Sequence, residues 1–293
     1  IAHASTKDAI GLAAKYYANT LSAHLMQIAG QNDSLSVMNA YKEESLFALR
    51  QLQLADGSFA WWPGMRGSFY VTVAVTEMLQ RLNMMLGEQT STKKLLTNSM
   101  KFMAGEVSKH VEVLKHLEAK KYDNLLPSEA DMQYLYICAM RKEGLNHPDN
   151  KYLLGLVEKR PALFTIYGKA MMSVILARNG NVKLAKEHLE SLKQYIVYTD
   201  EMGRYFDTKR ASYSWFDYRI PTEVAAIEAI KMVTPEDKKT VGEMQRWLLQ
   251  SKRTQSWDTP INAVNAIYAF MQGQTKESLT NYGANTVLKL NGT

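Results

Sequence analysis

Gln53-Leu-Ala-Asp-Gly-Ser-Phe-Ala-Trp-Trp-Pro-Gly-Met-Arg-Gly-Ser-Phe-Tyr70 decides the fold. An amphipathic run ends at its first residue. Asp56-Gly57 then reads as a turn, because glycine reaches positive φ cheaply and aspartate bonds its own backbone. Phe59, Trp61 and Trp62 put large apolar area into a short connection, Pro63-Gly64 turns the chain again, and a second long apolar run follows. So aromatic a loop is expected to wedge between the ends of two helices. Helix, acidic-glycine turn, aromatic, helix is the corner of a helical hairpin, and related corners are sought elsewhere.

Outward from that corner, helical spacing recurs. Lys7 to Ile28 carries apolar residues at Ile10, Ala13, Ala14, Tyr17, Leu21 and Leu25, and Gly30 closes it. Asp33 or Ser34 is expected to cap a helix running to about Leu54. Val71-Thr-Val-Ala-Val-Thr76 is β-branched enough for a strand, but its continuation through Leu79, Leu82 and Leu86 favours a buried helix. Further helices are expected over 92–117, 128–142, 148–157, 161–177, 182–197, 221–233, 234–250 and 259–271. Ser128 with Asp131 reads as an N-cap with an acidic first turn, and Thr234-Pro235 and Thr259-Pro260 as helix starts with Pro at N1.

The corner returns with variations. Tyr195 to Tyr198 is followed by Asp200 to Gly203 and then Tyr205-Phe206. Trp247-Leu-Leu-Gln250 is followed by a polar turn and Ser256-Trp257-Asp258. Phe206 and Trp257 lie 51 positions apart, and Phe59 and Phe206 lie 147 apart. A period of about 50 residues is two helices plus turns. The expectation is an all-α toroid of about a dozen paired helices over 8–278. Residues 1–7 are expected to link from a preceding domain. Asn285-Thr-Val-Leu-Lys-Leu-Asn-Gly292 alternates as a strand does, so 279–293 is expected to begin a β-type domain.

Composition narrows the chemistry. The 293 residues are 46% hydrophobic and 22% charged, with 7 Pro and 16 Gly, which suits long helices. The net charge of +6 comes from Lys and Arg spread along the chain, without the basic stripe that nucleic acid requires. One cysteine, Cys138, forms no intrachain disulfide and lies in a core-like run. No apolar run is long enough to span a membrane. The six histidines show no ligand spacing, so no metal and no cofactor is expected.

Two stretches carry a family resemblance. Leu52 to Gly64 resembles the Gln, Asp-Gly, Phe, Trp-Pro-Gly loop of bacterial α2-macroglobulin thioester domains, which are α/α toroids. Trp247 to Thr259 resembles a late segment of the same domain in Bacteroides-like bacteria, and Lys15-Tyr-Tyr-Ala-Asn19 resembles the helix after the thioester motif. In that family a Cys-x-Glu-Gln motif closes an internal thioester that acylates proteases. Here its Cys, Glu and Gln positions fall on Asp8, Ile10 and Gly11, which cannot form the bond. The resemblance thus implies a thioester-less, non-covalent trapping or structural domain of a periplasmic or cell-surface endopeptidase inhibitor. Its partners would be proteases and neighbouring β domains.

Two other readings compete. Asp207 and Asp217, with Trp215 between them, could serve a toroid enzyme acting on glycans or isoprenoids. Asp56 and Asp258 also qualify by type, but a turn and a helix start already explain them. The chain could instead be a spacer between β domains. Trp61 and Trp62 could line a sugar or lipid pocket, although the expectation above makes them hairpin wedges.

Overall fold

The computed structural model describes residues 6–30, 35–141, 144–159, 164–206, 219–254, 257 and 259–274. Among them are eleven α-helices: α1 (Ala9–Ile28), α2 (Leu35–Arg50), α3 (Phe69–Leu86), α4 (Lys93–Ala119), α5 (Glu129–Ala139), α6 (Pro148–Lys159), α7 (Ile166–Arg178), α8 (Val182–Lys193), α9 (Arg219–Val233), α10 (Lys238–Thr254) and α11 (Pro260–Met271). Two antiparallel ribbons accompany them, β1 (Phe59–Ala60) with β2 (Gly67–Ser68) and β3 (Ile196–Thr199) with β4 (Gly203–Phe206).

The odd-numbered helices form a closed ring. Each packs against the next in the order α1, α3, α5, α7, α9, α11, and α11 returns to α1. Outside them α2 packs on α1, α4 on α3, α8 on α7 and α10 on α9, while α6 rests on α4. This is an α/α toroid. Burial follows layer: every residue of α7 from Ile166 to Leu176 is buried, as a helix walled on all sides must be. Outer α8 buries only Ala185, His188, Leu189 and Leu192, a single stripe.

Capping sets where the inner helices begin. Asp8 accepts from the Gly11 N–H, Ser68 from Val71, Thr165 from Gly168 and Thr259 from Asn262, and Ser128 with Asp131 forms a reciprocal capping box. The β-branched run is helical because α3 is buried on two sides. Val71 and Val75 face one core, and Val73 the other. The Thr72 and Thr76 hydroxyls donate to the carbonyls of Ser68 and Thr72, so no polar group is stranded.

Three sequence expectations are corrected. The helix expected over 182–197 ends at Lys193, because Ile196-Val-Tyr-Thr199, β-branched and aromatic, pairs with Gly203–Phe206 instead. Thr234 does not start a helix. Its N–H still donates to Ile230, finishing α9, and Asp237 accepts from Thr240 at 3.2 Å to open α10. Trp61 and Trp62 are not the wedge: Phe59 is fully buried, whereas the two tryptophans are 39% and 44% exposed. The strand-like segment at 285–292, the cap at Asp33 or Ser34, the start at Pro161, and Asp207, Trp215, Asp217 and Asp258 lie outside the described residues.

Candidate functional site

The hairpin corner is built by hydrogen bonds rather than by aromatic bulk alone. Asp56 accepts from the Ser58 N–H at 2.9 Å and its hydroxyl at 2.6 Å, which holds the carboxyl below its ordinary pKa. Gly57 has φ +93°. The Gln53 amide donates to Leu95 O of α4 at 2.9 Å and accepts from Asn98 at 3.1 Å, stapling the loop to the next hairpin. The Phe59 N–H donates to Thr72 of α3 at 2.8 Å. With these anchors in place, Trp61 and Trp62 project to one end of the ring. The Trp61 carbonyl accepts from the Ala9 N–H at 3.0 Å, joining the loop to the start of α1.

At that end the N-terminal parts of the inner helices surround a cavity of about 480 Å³. Ile10 of α1, Tyr70 and Glu77 of α3, Gln133 of α5, Tyr167 and Met171 of α7, Ala225 of α9 and Asn265 of α11 all reach its wall. Trp61, Trp62 and Asp8 stand at it as well. Tyr70 stacks on Trp61 with centroids 6.1 Å apart and planes 22° apart. Every inner helix thus contributes, which requires the ring to be closed.

Below the cavity a polar network crosses the ring axis. Arg81 donates to Glu77 at 2.9 Å, to the Tyr136 hydroxyl at 3.2 Å and to the Asn265 carbonyl oxygen. Its guanidinium lies 4.4 Å from the Tyr268 ring centroid, within cation–π range. The hydroxyls of Tyr136 and Tyr268 donate to Glu228 at 2.7 and 3.1 Å, and Arg178 donates to the same carboxylate at 2.8 Å. Five of the inner helices are pinned by these bonds. Burial lifts the Glu77 carboxyl above its ordinary value; Arg81 opposes that, and Glu228 adds to it. Burial raises the phenols of Tyr136 and Tyr268 as well, so both stay protonated donors.

Asp8, Ile10 and Gly11 lie at the start of α1. The Asp8 carboxylate accepts from the Gly11 N–H at 2.8 Å and from the Thr6 hydroxyl. A β-carbon on Gly11 would lie 2.2 Å from Thr6 Oγ1 and 2.7 Å from Asp8 Oδ2, so the space for a longer side chain there is filled. Ile10 is buried. Cys138 is buried in α5, and burial pushes its thiol up to about 11, which leaves it protonated and poorly nucleophilic. Trp257 is half-buried, with the Lys252 ammonium 5.0 Å from its ring.

Among the described residues no three His, Cys, Asp or Glu side chains gather as a metal would need, and no helix is long and apolar enough to cross a membrane. Sequence reading missed the axial network. Its signal was present: Glu77 and Arg81 sit four apart in an otherwise uncharged helix, and Glu228 interrupts Val224 to Ile230. Comparison with models of known protein families finds no match. Comparison with curated proteins finds none either.

Proposed function

We propose that the chain is the toroid domain of a bacterial α2-macroglobulin-like endopeptidase inhibitor, acting as a non-covalent scaffold or trapping element and not as an enzyme. One observation carries the reading. Where the resembling family closes a covalent ring between side chains three positions apart, this chain spans the same interval with the Asp8–Gly11 capping bond. The toroid architecture and the buried, protonated Cys138 support it. In this account a protease cuts a bait segment elsewhere in the protein, neighbouring β domains rearrange, and the ring moves with them as a rigid body. The work would take place in the periplasm or at the cell surface.

Methylamine treatment followed by intact-mass measurement tests the chemistry. The reading expects no added mass on this chain; a methylamide mapped to its amino end refutes the thioester-less assignment.

A further inference from the structure

We propose that the cavity at the N-terminal end of the ring binds a neutral glycan, with Trp61 and Trp62 as stacking faces and Glu77 as the hydrogen-bonding anchor. The inference does not depend on the macroglobulin reading. The fold buries Phe59 completely yet leaves the two tryptophans beside it 39% and 44% exposed, both at the cavity wall. Tyr70 stacks on Trp61, and the Trp61 carbonyl is tied to the start of α1, so this platform is set before any ligand arrives. Flat aromatic faces match the C–H faces of pyranose rings, which gain by leaving water while their hydroxyls stay bonded.

The floor supplies those bonds. The Glu77 side chain, 17% exposed, bonds Arg81 through Oε1 and reaches the cavity wall, where it meets a ligand hydroxyl. Asn265 commits its carbonyl oxygen to Arg81, so what it offers a ligand is its amide donor. Charge selects the class. Glu77 is paired with Arg81, and Glu228 with Arg178, so the floor carries no net charge. An anionic ligand would find both guanidiniums already paired and the Asp8 carboxylate at the wall, whereas a polyhydroxyl ligand needs no counter-charge. A volume of about 480 Å³ lies within the usual range for small-molecule sites and suits a short oligosaccharide.

Binding, rather than hydrolysis, fits the acids present. Glycoside hydrolysis needs two carboxyl groups facing the scissile bond. Among the described residues at the cavity these are Glu77 and Asp8, and Asp8 has both oxygens engaged, by Gly11 and Thr6.

The test is titration of the 293-residue chain with cellotriose, maltotriose, mannotriose and N,N′-diacetylchitobiose, followed by tryptophan fluorescence and calorimetry. At least one sugar is expected to saturate with Kd below about 1 mM. Trp62→Ala, at an exposed position that leaves the fold intact by circular dichroism, is expected to weaken that binding at least tenfold. Trp62→Phe should restore most of it. Glu77→Gln should weaken it several-fold, and Phe47→Ala, on exposed α2, should leave it unchanged. Saturation by none of the four sugars, or Trp62→Ala binding as the parent chain does, overturns the proposal. So does an indole-bearing peptide that saturates the cavity when no sugar does.

Discussion

Gly57 lies against α4 so closely that a β-carbon on it would sit 2.2 Å from the carbonyl oxygen of Asn98. Gly203 stands in the same relation to Glu243 of α10, at 2.4 Å. Both have positive φ, +93° and +84°, and each is followed by a buried phenylalanine, Phe59 or Phe206. The two corners are therefore one device used twice. A turn glycine lets the loop land on the backbone of an outer helix, and the phenylalanine that follows it enters the core.

Gly57→Ala and Gly203→Ala should each destabilise the fold by about 2 kcal/mol or more, because the backbone strain is joined by a collision with a main-chain carbonyl. Gly64 also has positive φ, +83°, but nothing lies within 4 Å of its β-position. Gly64→Ala should cost only about 1 kcal/mol. Urea unfolding of the three variants checks the ranking; equal costs would contradict the shared-corner account.

The axial network should behave as one unit. Arg81→Met leaves Glu77 without its cation and strips the Tyr136 and Asn265 bonds, so a loss of about 3–5 kcal/mol is expected. Tyr136→Phe removes one donor to Glu228 and should cost about 1 kcal/mol. The double variant should cost less than the sum, since the two side chains share a bond. Additive losses in denaturant unfolding would show that the groups act independently.

His188 should make stability fall with acid. It is buried between α7 and α8, neither ring nitrogen has a hydrogen-bond partner, and it meets Phe164 edge-on at 5.9 Å. Burial, helped by nearby Lys169, depresses its pKa to about 4. In the unfolded chain an imidazole titrates near 6.5, so between these values the unfolded state binds the extra proton. This contribution is flat above about pH 6.5 and is lost as pH drops towards 4, on the order of 3 kcal/mol in all. His188→Leu should flatten that part of the stability–pH curve. A slope unchanged by the substitution would assign the acid sensitivity elsewhere.

The cap at α1 should be worth about 1 kcal/mol, the usual cost of Asp→Ala at an N-cap. Asp8→Ala is the test, read by thermal unfolding. Gly11→Gln, which must displace Thr6 and Asp8, should cost more than Asp8→Ala, and equal or smaller cost would mean the pocket at Gly11 is looser than its contacts imply.

Much of the ring could be read in advance because its signals are local. Ser128 with Asp131 and Thr259-Pro260 are caps closed by side chains within three residues of the helix start. Thr234-Pro235 has the same look but fails, because the Thr234 N–H was already needed to finish α9. That is a competition between neighbouring elements which no short window reveals. The exposure of Trp61 and Trp62 was hidden for a similar reason: Phe59 alone fills the corner, and bulk by itself does not say which aromatic goes inside. The axial network joins residues up to 184 positions apart, Arg81 with Asn265, and such a contact exists only once the ring has closed.

The most direct test uses the complete polypeptide that contains this chain, incubated with an endopeptidase that cleaves it. Held protease should stay in the complex under native conditions, lose activity on large substrates while keeping it on small ones, and come free intact in denaturant. A protease adduct that survives denaturation and maps to residues 8–11, or a cleaved protein that holds no protease at all, would contradict the account.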